Sequence, residues 1–416
     1  MHQRTWLSLI TFPLVATFTY PVLVRRSEPP RTETRPTTQD PLAGLSDIQD
    51  VLALVRDNYV DPPNMEKVLS GGIQGALERV HPLNAFITPE ELHLPEPGPA
   101  DPGLILRKSQ IYAQVIALTA NGPAAKAGMH IGDVIRKVDG QSIGALSSWS
   151  LDRRLRGAEG SEVSFLWYDG SVGTTKKITV KREKPQPQTV SVRKDPRATV
   201  LALADMNAGR ANEILSVLKA CDPKLPLVLD LRRCAGGDLT ESARIAGFFV
   251  GKAPFITLQE ATKADLALET GGDKGPGFAK VAVLTGLGTV GPAEALAAAL
   301  KKQGLPVFGE RTAGMGVERT RFALRQGGAA EIVNKRWLGA GGEKLDRQGL
   351  APDFILRSPR PERGGAATED DPLPKILEQL DKKPEPKVET KALLKATLAP
   401  RPSPGSRPEA TGREIA

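Results

Sequence analysis

Apolar residues near the start of the folded chain recur three and four apart. Ile48, Val51, Leu52, Leu54 and Val55 share one helical face, and a second amphipathic segment fills 65–80 after a break at Asp61-Pro-Pro63. The pattern predicts a helical region over 45–93. Beyond it the period shortens. Gly103-Leu-Ile-Leu106 and Ala113-Gln-Val-Ile116 read as strands, 149–155 as a helix, and 163–168 and 177–180 as closing strands of one unit over 101–184. Residues 184–198 read as a Pro/Lys/Arg-rich connector. From 199 to 358 apolar strands alternate with helices: a strand at 200–203, a helix at 209–221, a strand at 227–232 and a helix from 242. The near-continuous apolar run of Leu227-Val-Leu-Asp-Leu-Arg232 predicts a strand buried on both faces. The fold class is α/β, in several domains.

The most informative stretch follows. Val281-Ala-Val-Leu284 is a short strand, Thr285-Gly-Leu-Gly-Thr-Val-Gly-Pro292 a glycine-rich turn, and Ala293 to Lys302 an alanine-rich helix closed by Gly304. A second strand, Leu305-Pro-Val-Phe308, leads into Gly309-Glu-Arg-Thr-Ala-Gly-Met-Gly316. A sharp strand-to-helix turn is where an α/β enzyme displays a nucleophile, with the helix N-terminus favouring negative charge beside it.

The ends differ from the middle. Residues 6–24 are apolar and uncharged, with Arg4 before them and Arg25 and Arg26 after. That length fits a signal peptide or one membrane-spanning helix. Residues 1–26 are read as one or the other, contacting the membrane through 6–24, and 27–44 as a linker. A last helix is expected over 371–381, and a disordered tail, rich in Pro, Lys and Glu, over 382–416.

Composition narrows the classes. With 40% apolar and 25% charged residues the chain is ordinary globular protein. Its charge is +8, but no Lys/Arg stripe is interleaved with aromatics, so no nucleic-acid partner is expected. Cys221 and Cys234 flank the buried strand. A strand of that length runs roughly 20 Å, whereas a disulfide needs Cα atoms within about 7 Å, so two buried free thiols are expected. His81 reads as a turn residue, since no second histidine lies at a metal-ligand spacing. No metal or other cofactor is expected.

The strand–turn–helix stretch resembles the C-terminal processing peptidases, or tail-specific proteases. Their turn reads Ser-Ala-Ser-Ala-Ser-Glu with the middle Ser as nucleophile, and a later Thr-Phe-Gly-Lys-Gly supplies a Lys base. Further matches are Leu229-Asp-Leu-Arg-Arg-Cys-Ala-Gly-Gly237, Gly349-Leu-Ala-Pro-Asp353, and Tyr59-Val-Asp61 in the helical region. Residues 121–140, from Asn121-Gly-Pro-Ala-Ala-Lys-Ala-Gly to Ile131-Gly-Asp-Val-Ile, resemble a PDZ domain. The resemblance covers roughly 45–380. It implies helices, then a β-barrel-like PDZ domain, then an α/β core like that of ClpP and the crotonases. It implies export to the periplasm or another extracytoplasmic site, with anchoring in the inner membrane as one form. It also implies that Gly103, Leu104, Ile105 and Leu106 take protein C-terminal tails by strand addition, and that Gly236 and Gly237 are the remnant of an oxyanion hole.

Aligned on Glu294, the chain departs from that family where the chemistry sits. Gly291 stands at the nucleophile position and Met315 at the lysine position. Pro292, which lacks an N–H, follows the nucleophile position, where the family has a donating Ala. No serine lies between Ser242 and Ser358, and no histidine follows His130, so a Ser-His-Asp triad cannot form in the core. The leading expectation is a pseudopeptidase that binds tails as an adaptor, pairing with itself or an active relative through the N-terminal helices. One alternative is an active peptidase with displaced residues: Thr289 or Thr312 as nucleophile, Lys301 or Lys302 as base, the lysines roughly 15 Å along the helix from Gly291. A structural envelope protein is the other.

Overall fold

A computed structural model describes residues 44–169, 173–357 and 371–382. The expected signal or anchor segment, all but the last residue of the linker, and all but the first residue of the 382–416 tail lie outside them. Among the described residues no helix is long and apolar enough to cross a membrane. The chain divides at Met65 into two compact units.

In the first unit α1 (Leu45–Asn58) carries the expected apolar stripe and buries none of its residues. In the second, α2 (Met65–Val80) is followed by β1 (Ala85–Ile87), which departs from the helical expectation for 45–93. Tertiary contacts override local propensity there. β1 pairs with a strand more than 240 residues later, Ala85 opposite Glu331. Asn84 fixes the entry, its Nδ2 donating to the Leu77 carbonyl at 3.1 Å and its Oδ1 accepting the Val333 N–H at 2.7 Å. One capped turn, α3 (Pro89–Leu92), follows, with Thr88 and Glu91 satisfying each other's N–H groups.

The next segment comprises β2 (Leu104–Lys108), β3 (Ala113–Leu118), α4 (Pro123–Lys126), β4 (Val134–Val138), β5 (Gln141–Ser142), α5 (Ser148–Leu155), β6 (Glu162–Asp169) and β7 (Thr174–Lys181). Its sheet runs β2-β3-β4-β6-β7, with β5 on β4 and β2 at the edge. Alternate residues point inward, so that Leu104, Leu106, Val115, Ile135 and Phe165 pack with Leu151 and Leu155 of α5.

The stretch 184–198, expected to be a connector, contains β8 (Ser191–Asp195), paired antiparallel to β9 (Ala198–Ala202). Its side chains are mostly exposed, so the sequence gives it no hydrophobic signature. Then come α6 (Arg210–Lys219), β10 (Leu227–Asp230), α7 (Leu239–Val250), β11 (Pro254–Glu260), β12 (Leu266–Glu269), β13 (Val281–Thr285), α8 (Pro292–Lys302), β14 (Val307–Gly309), β15 (Val317–Ala323), β16 (Ala329–Gly339), β17 (Phe354–Ile355) and α9 (Leu373–Asp381). One sheet runs β17-β14-β13-β10-β9-β8 and is parallel except for β8. β10 lies inside it, its first three residues buried as the apolar run predicts. The second sheet, β1-β16-β11-β12 with β15 on β16, is antiparallel.

Helix α8 explains its own composition. Every residue from Pro292 to Leu300 is buried, because the helix packs with α7 and β13 and also against β11 and β16 of the other sheet. Alanine is the side chain that permits contact on all sides at helical propensity. The opposite face of the parallel sheet is covered by α9, whose Leu373 and Ile376 pack on Val200, Val228, Ala282 and Phe308. Cys221 and Cys234 are buried free thiols, and burial pushes both up from their ordinary value.

Candidate functional site

The turn between β13 and α8 is built from backbone bonds. Thr289 N–H donates to the Gly286 carbonyl at 2.9 Å, and Val290 N–H to the Cys234 carbonyl at 2.9 Å. Gly288 passes so close to the next strand end that a Cβ there would lie 2.3 Å from the Arg232 carbonyl oxygen. The chain then bends sharply at Gly291, with φ +63° and ψ −117°. An L side chain adopts that conformation only under strain. Space is not the obstacle, because a Cβ on Gly291 would meet no heavy atom within 4 Å.

Glu294, in the first turn of α8, is wholly buried. Its Oε2 accepts the N–H groups of Gly291 at 3.0 Å and Met315 at 2.8 Å. Its Oε1 accepts the Thr312 hydroxyl at 2.5 Å and the Gly314 N–H at 2.7 Å. Burial pushes this carboxyl up, against the pull of those four donors. Gly291 and Met315 thus hang on one carboxylate.

The remaining candidates are engaged elsewhere. The Thr289 side chain is fully buried. Its hydroxyl donates to the Leu231 carbonyl at 2.8 Å and accepts the Gly286 N–H at 3.0 Å. The Thr312 hydroxyl also accepts the Leu350 N–H at 2.7 Å. Lys301 Nζ donates to the Ala351 carbonyl at 2.7 Å and pairs with Asp353 at 3.1 Å, both in the Gly-Leu-Ala-Pro-Asp segment.

The Gly236-Gly237 loop lies alongside, held to Val290 by a bridge from Ala235. Both glycines have positive φ. A Cβ on Gly237 would sit 2.2 Å from the Met206 carbonyl carbon, so glycine is dictated by a close backbone approach. Met206 N–H donates to the Gly236 carbonyl, and Asp238 N–H to the Met206 carbonyl. Neither bond uses the N–H of Gly236 or Gly237.

The segment expected to be a PDZ domain packs directly on this turn. Ile116 and Ala117 of β3 form an apolar patch with Val290 and Ala313, joined by Leu287 and Met315. An Arg107 Nη donates to the Ala313 carbonyl, and the other donates to Gln114 Oε1 at 2.6 Å. Met315 therefore has an apolar surrounding, of the kind that lowers a lysine amine's pKa, but its own thioether accepts no proton. At the start of β2, Gly103 has φ +73°, and its N–H is taken by the Asp101 carboxylate at 2.6 Å. Leu104 and Leu106 point into the core, while Ile105 is exposed.

Sequence reasoning passed over a third support. His81 is buried, and its Nε2 meets Asp346 Oδ1 at 2.9 Å. The Leu83 N–H donates to Nδ1 at 3.1 Å, which leaves the ring proton on Nε2 facing the carboxylate. Asp346 forms a backbone bridge with Met315.

The chain is 27% identical over 328 residues to a protein of Staphylococcus aureus (strain MRSA252) described as a probable CtpA-like serine protease. The match takes in 76% of this chain and 66% of that protein. A counterpart in Staphylococcus saprophyticus is 25% identical over 325 residues, with the same coverage. The chain thus spans slightly less than two thirds of these relatives' length. Among solved structures, the photosystem II D1 C-terminal processing protease has the same fold. Its TM-score is 0.61 at 22% identity, covering 76% of this chain and 93% of that one. Residues 114–168 match the PDZ domain and 197–356 match peptidase family S41. The chain thus carries a PDZ domain and a peptidase family S41 domain, and resembles the C-terminal processing peptidases in sequence and in fold.

Proposed function

We propose that this protein is a catalytically silent member of its family, exported from the cytoplasm, that binds protein C-terminal tails through its PDZ domain and acts as an adaptor. One observation carries the reading. The turn that should present a nucleophile is kept in shape by Glu294, yet its apex is Gly291, and the partner loop offers the thioether of Met315 in place of an amine. Acyl transfer needs a hydroxyl, a proton acceptor and oxyanion donors. Gly291, Met315 and Pro292 remove one of each.

The alternative of an active peptidase through Thr289 gains no support from that hydroxyl, which is buried and spends its proton on the Leu231 carbonyl. Pairing with a second copy or an active relative is proposed for the N-terminal helices, where Ile48, Val51 and Leu54 of α1 are exposed.

The test mixes the full chain with an unstructured protein ending in an apolar tail. Cleavage is followed on a gel and binding by calorimetry. The expected result is binding without cleavage, abolished when the terminal carboxylate is amidated. Cleavage that disappears in Thr289→Ala would overturn the reading.

A further inference from the structure

A cavity of about 550 Å³ opens at the carboxyl ends of β14 and β17, within the size range of small-molecule sites. None of the residues lining it belongs to the PDZ segment. Phe354 stacks on Phe308, with ring centroids 4.7 Å apart, and Leu356 packs with the cluster that α9 covers. Alternation along the extended chain turns Ile355 and Arg357 to the other face, where both line the cavity. Ile355 is 75% exposed. With Ala351 and Pro352 it makes an apolar floor that the described residues leave open. Two guanidiniums stand over that floor. One Nη of Arg311 donates to the Gln348 carbonyl at 3.0 Å and to the Gly349 carbonyl at 3.2 Å, which fixes the side chain without neutralising it. Among the described residues no ion pair engages Arg311 or Arg357, and Glu310, also in the wall, is itself engaged.

We propose that this cavity binds an aliphatic carboxylate, its charge on Arg311 and Arg357 and its chain along Ala351, Pro352 and Ile355. Each guanidinium can donate two N–H groups to a carboxylate, and Arg311 is already held in place for it. A bare anion leaves the floor wet, and a neutral chain leaves both guanidiniums unpaired, so the two halves of the site ask for one molecule that carries both. The walls continue into the loops behind the Met315 turn. Thr312, next to Arg311, donates its N–H to the Leu350 carbonyl at 3.1 Å and accepts the Leu350 N–H on its hydroxyl at 2.7 Å. That hydroxyl donates in turn to Glu294. An occupant therefore braces the segments that hold the turn.

The test titrates the full chain with sodium octanoate by calorimetry, with acetate and octanol as the two half-ligands. The expected result is saturable one-to-one binding of octanoate that neither half-ligand displaces at equal concentration. Arg311→Ala and Arg357→Ala should each weaken it about tenfold or more, the value of a charge-assisted hydrogen bond. Ile355→Asp should abolish it, and all three variants should keep the wild-type urea midpoint. A carboxylate held at Gly103 instead would be indifferent to these substitutions. Octanoate binding unchanged in both arginine variants, equal competition by acetate, or no saturable binding overturns the proposal. A free fatty acid and an apolar peptide C-terminus share this chemistry. N-acetyl-leucyl-leucine is therefore the second probe, and the tighter of the two names the source.

Discussion

One carboxylate oxygen, Glu294 Oε2, accepts the backbone N–H of both Gly291 and Met315, at 3.0 and 2.8 Å. The apex of the turn and the Met315 loop are thus fastened to each other through one buried side chain. That contact holds the turn in shape whatever side chain stands at its apex. Glu294→Ala would leave four buried donors without an acceptor, each worth roughly 1–3 kcal/mol when unsatisfied. The expected loss is several kcal/mol, read as a lower urea midpoint. A loss under about 1 kcal/mol would mean that the surrounding backbone holds the turn unaided.

The glycines of the site are not equivalent. Gly291→Ala meets open space and suffers only backbone strain, about 1–3 kcal/mol. Gly237→Ala suffers the same kind of strain, and its Cβ also collides with the Met206 carbonyl. Thermal denaturation of both variants should place Gly237→Ala well below Gly291→Ala. The reverse order would refute this geometry.

On the reading proposed above, restoring the chemistry needs more than the nucleophile. Gly291→Ser is expected to fold and to remain inactive, because Met315 supplies no base and Pro292 no oxyanion donor. The triple variant Gly291→Ser, Pro292→Ala, Met315→Lys returns all three elements to a backbone already bent for them. It should cleave a tailed substrate at a rate that the single variant does not reach. Activity in Gly291→Ser alone would show that another group in the site accepts the proton.

Asp101 competes for the site it borders. Its carboxylate occupies the Gly103 N–H at 2.6 Å, close to where an incoming terminal carboxylate would seek donors. Asp101→Ala frees that N–H and removes a like charge. Tail affinity should rise by about tenfold, equivalent to ~1.4 kcal/mol, as measured by anisotropy. Weaker binding would mean that Asp101 is needed to shape the loop.

The parts of this architecture that announce themselves in sequence are those with apolar periodicity or glycine constraints. β10, α8 and the inward faces of β2, β3 and β6 are buried, and their residues say so. The antiparallel sheet does not: β15 is largely exposed, with Glu318, Arg319, Thr320 and Arg321 in succession, and its pairing with β16 is specified across the strands rather than along them. β1 is three residues long and exists because Asn84 and β16 hold it. That Gly291 and Met315 stand in the turn and in the loop beside it could be read directly. That Met315 sits in an apolar patch under Ile116 of the PDZ domain could not, since those residues are separated by nearly 200 positions.

The last prediction concerns the contact between His81 and Asp346 behind the Met315 turn. Burial raises the Asp346 carboxyl, but the His81 hydrogen bond, with Arg347 and Arg336 nearby, outweighs it and holds the group below the usual carboxylate range. A carboxyl lowered by folding contributes stability that is fully present above its unfolded value, about 3.9. That contribution is lost as pH falls through the lower folded value. Asp346→Asn removes the charge and keeps an acceptor for His81 Nε2. Urea unfolding of the wild type and this variant should therefore show a gap that is widest above about pH 4 and narrows as the medium is acidified below it. A gap that stays constant from pH 5 down to pH 3 would mean that Asp346 titrates alike in the folded and unfolded chains, and that His81 holds the turn by shape alone.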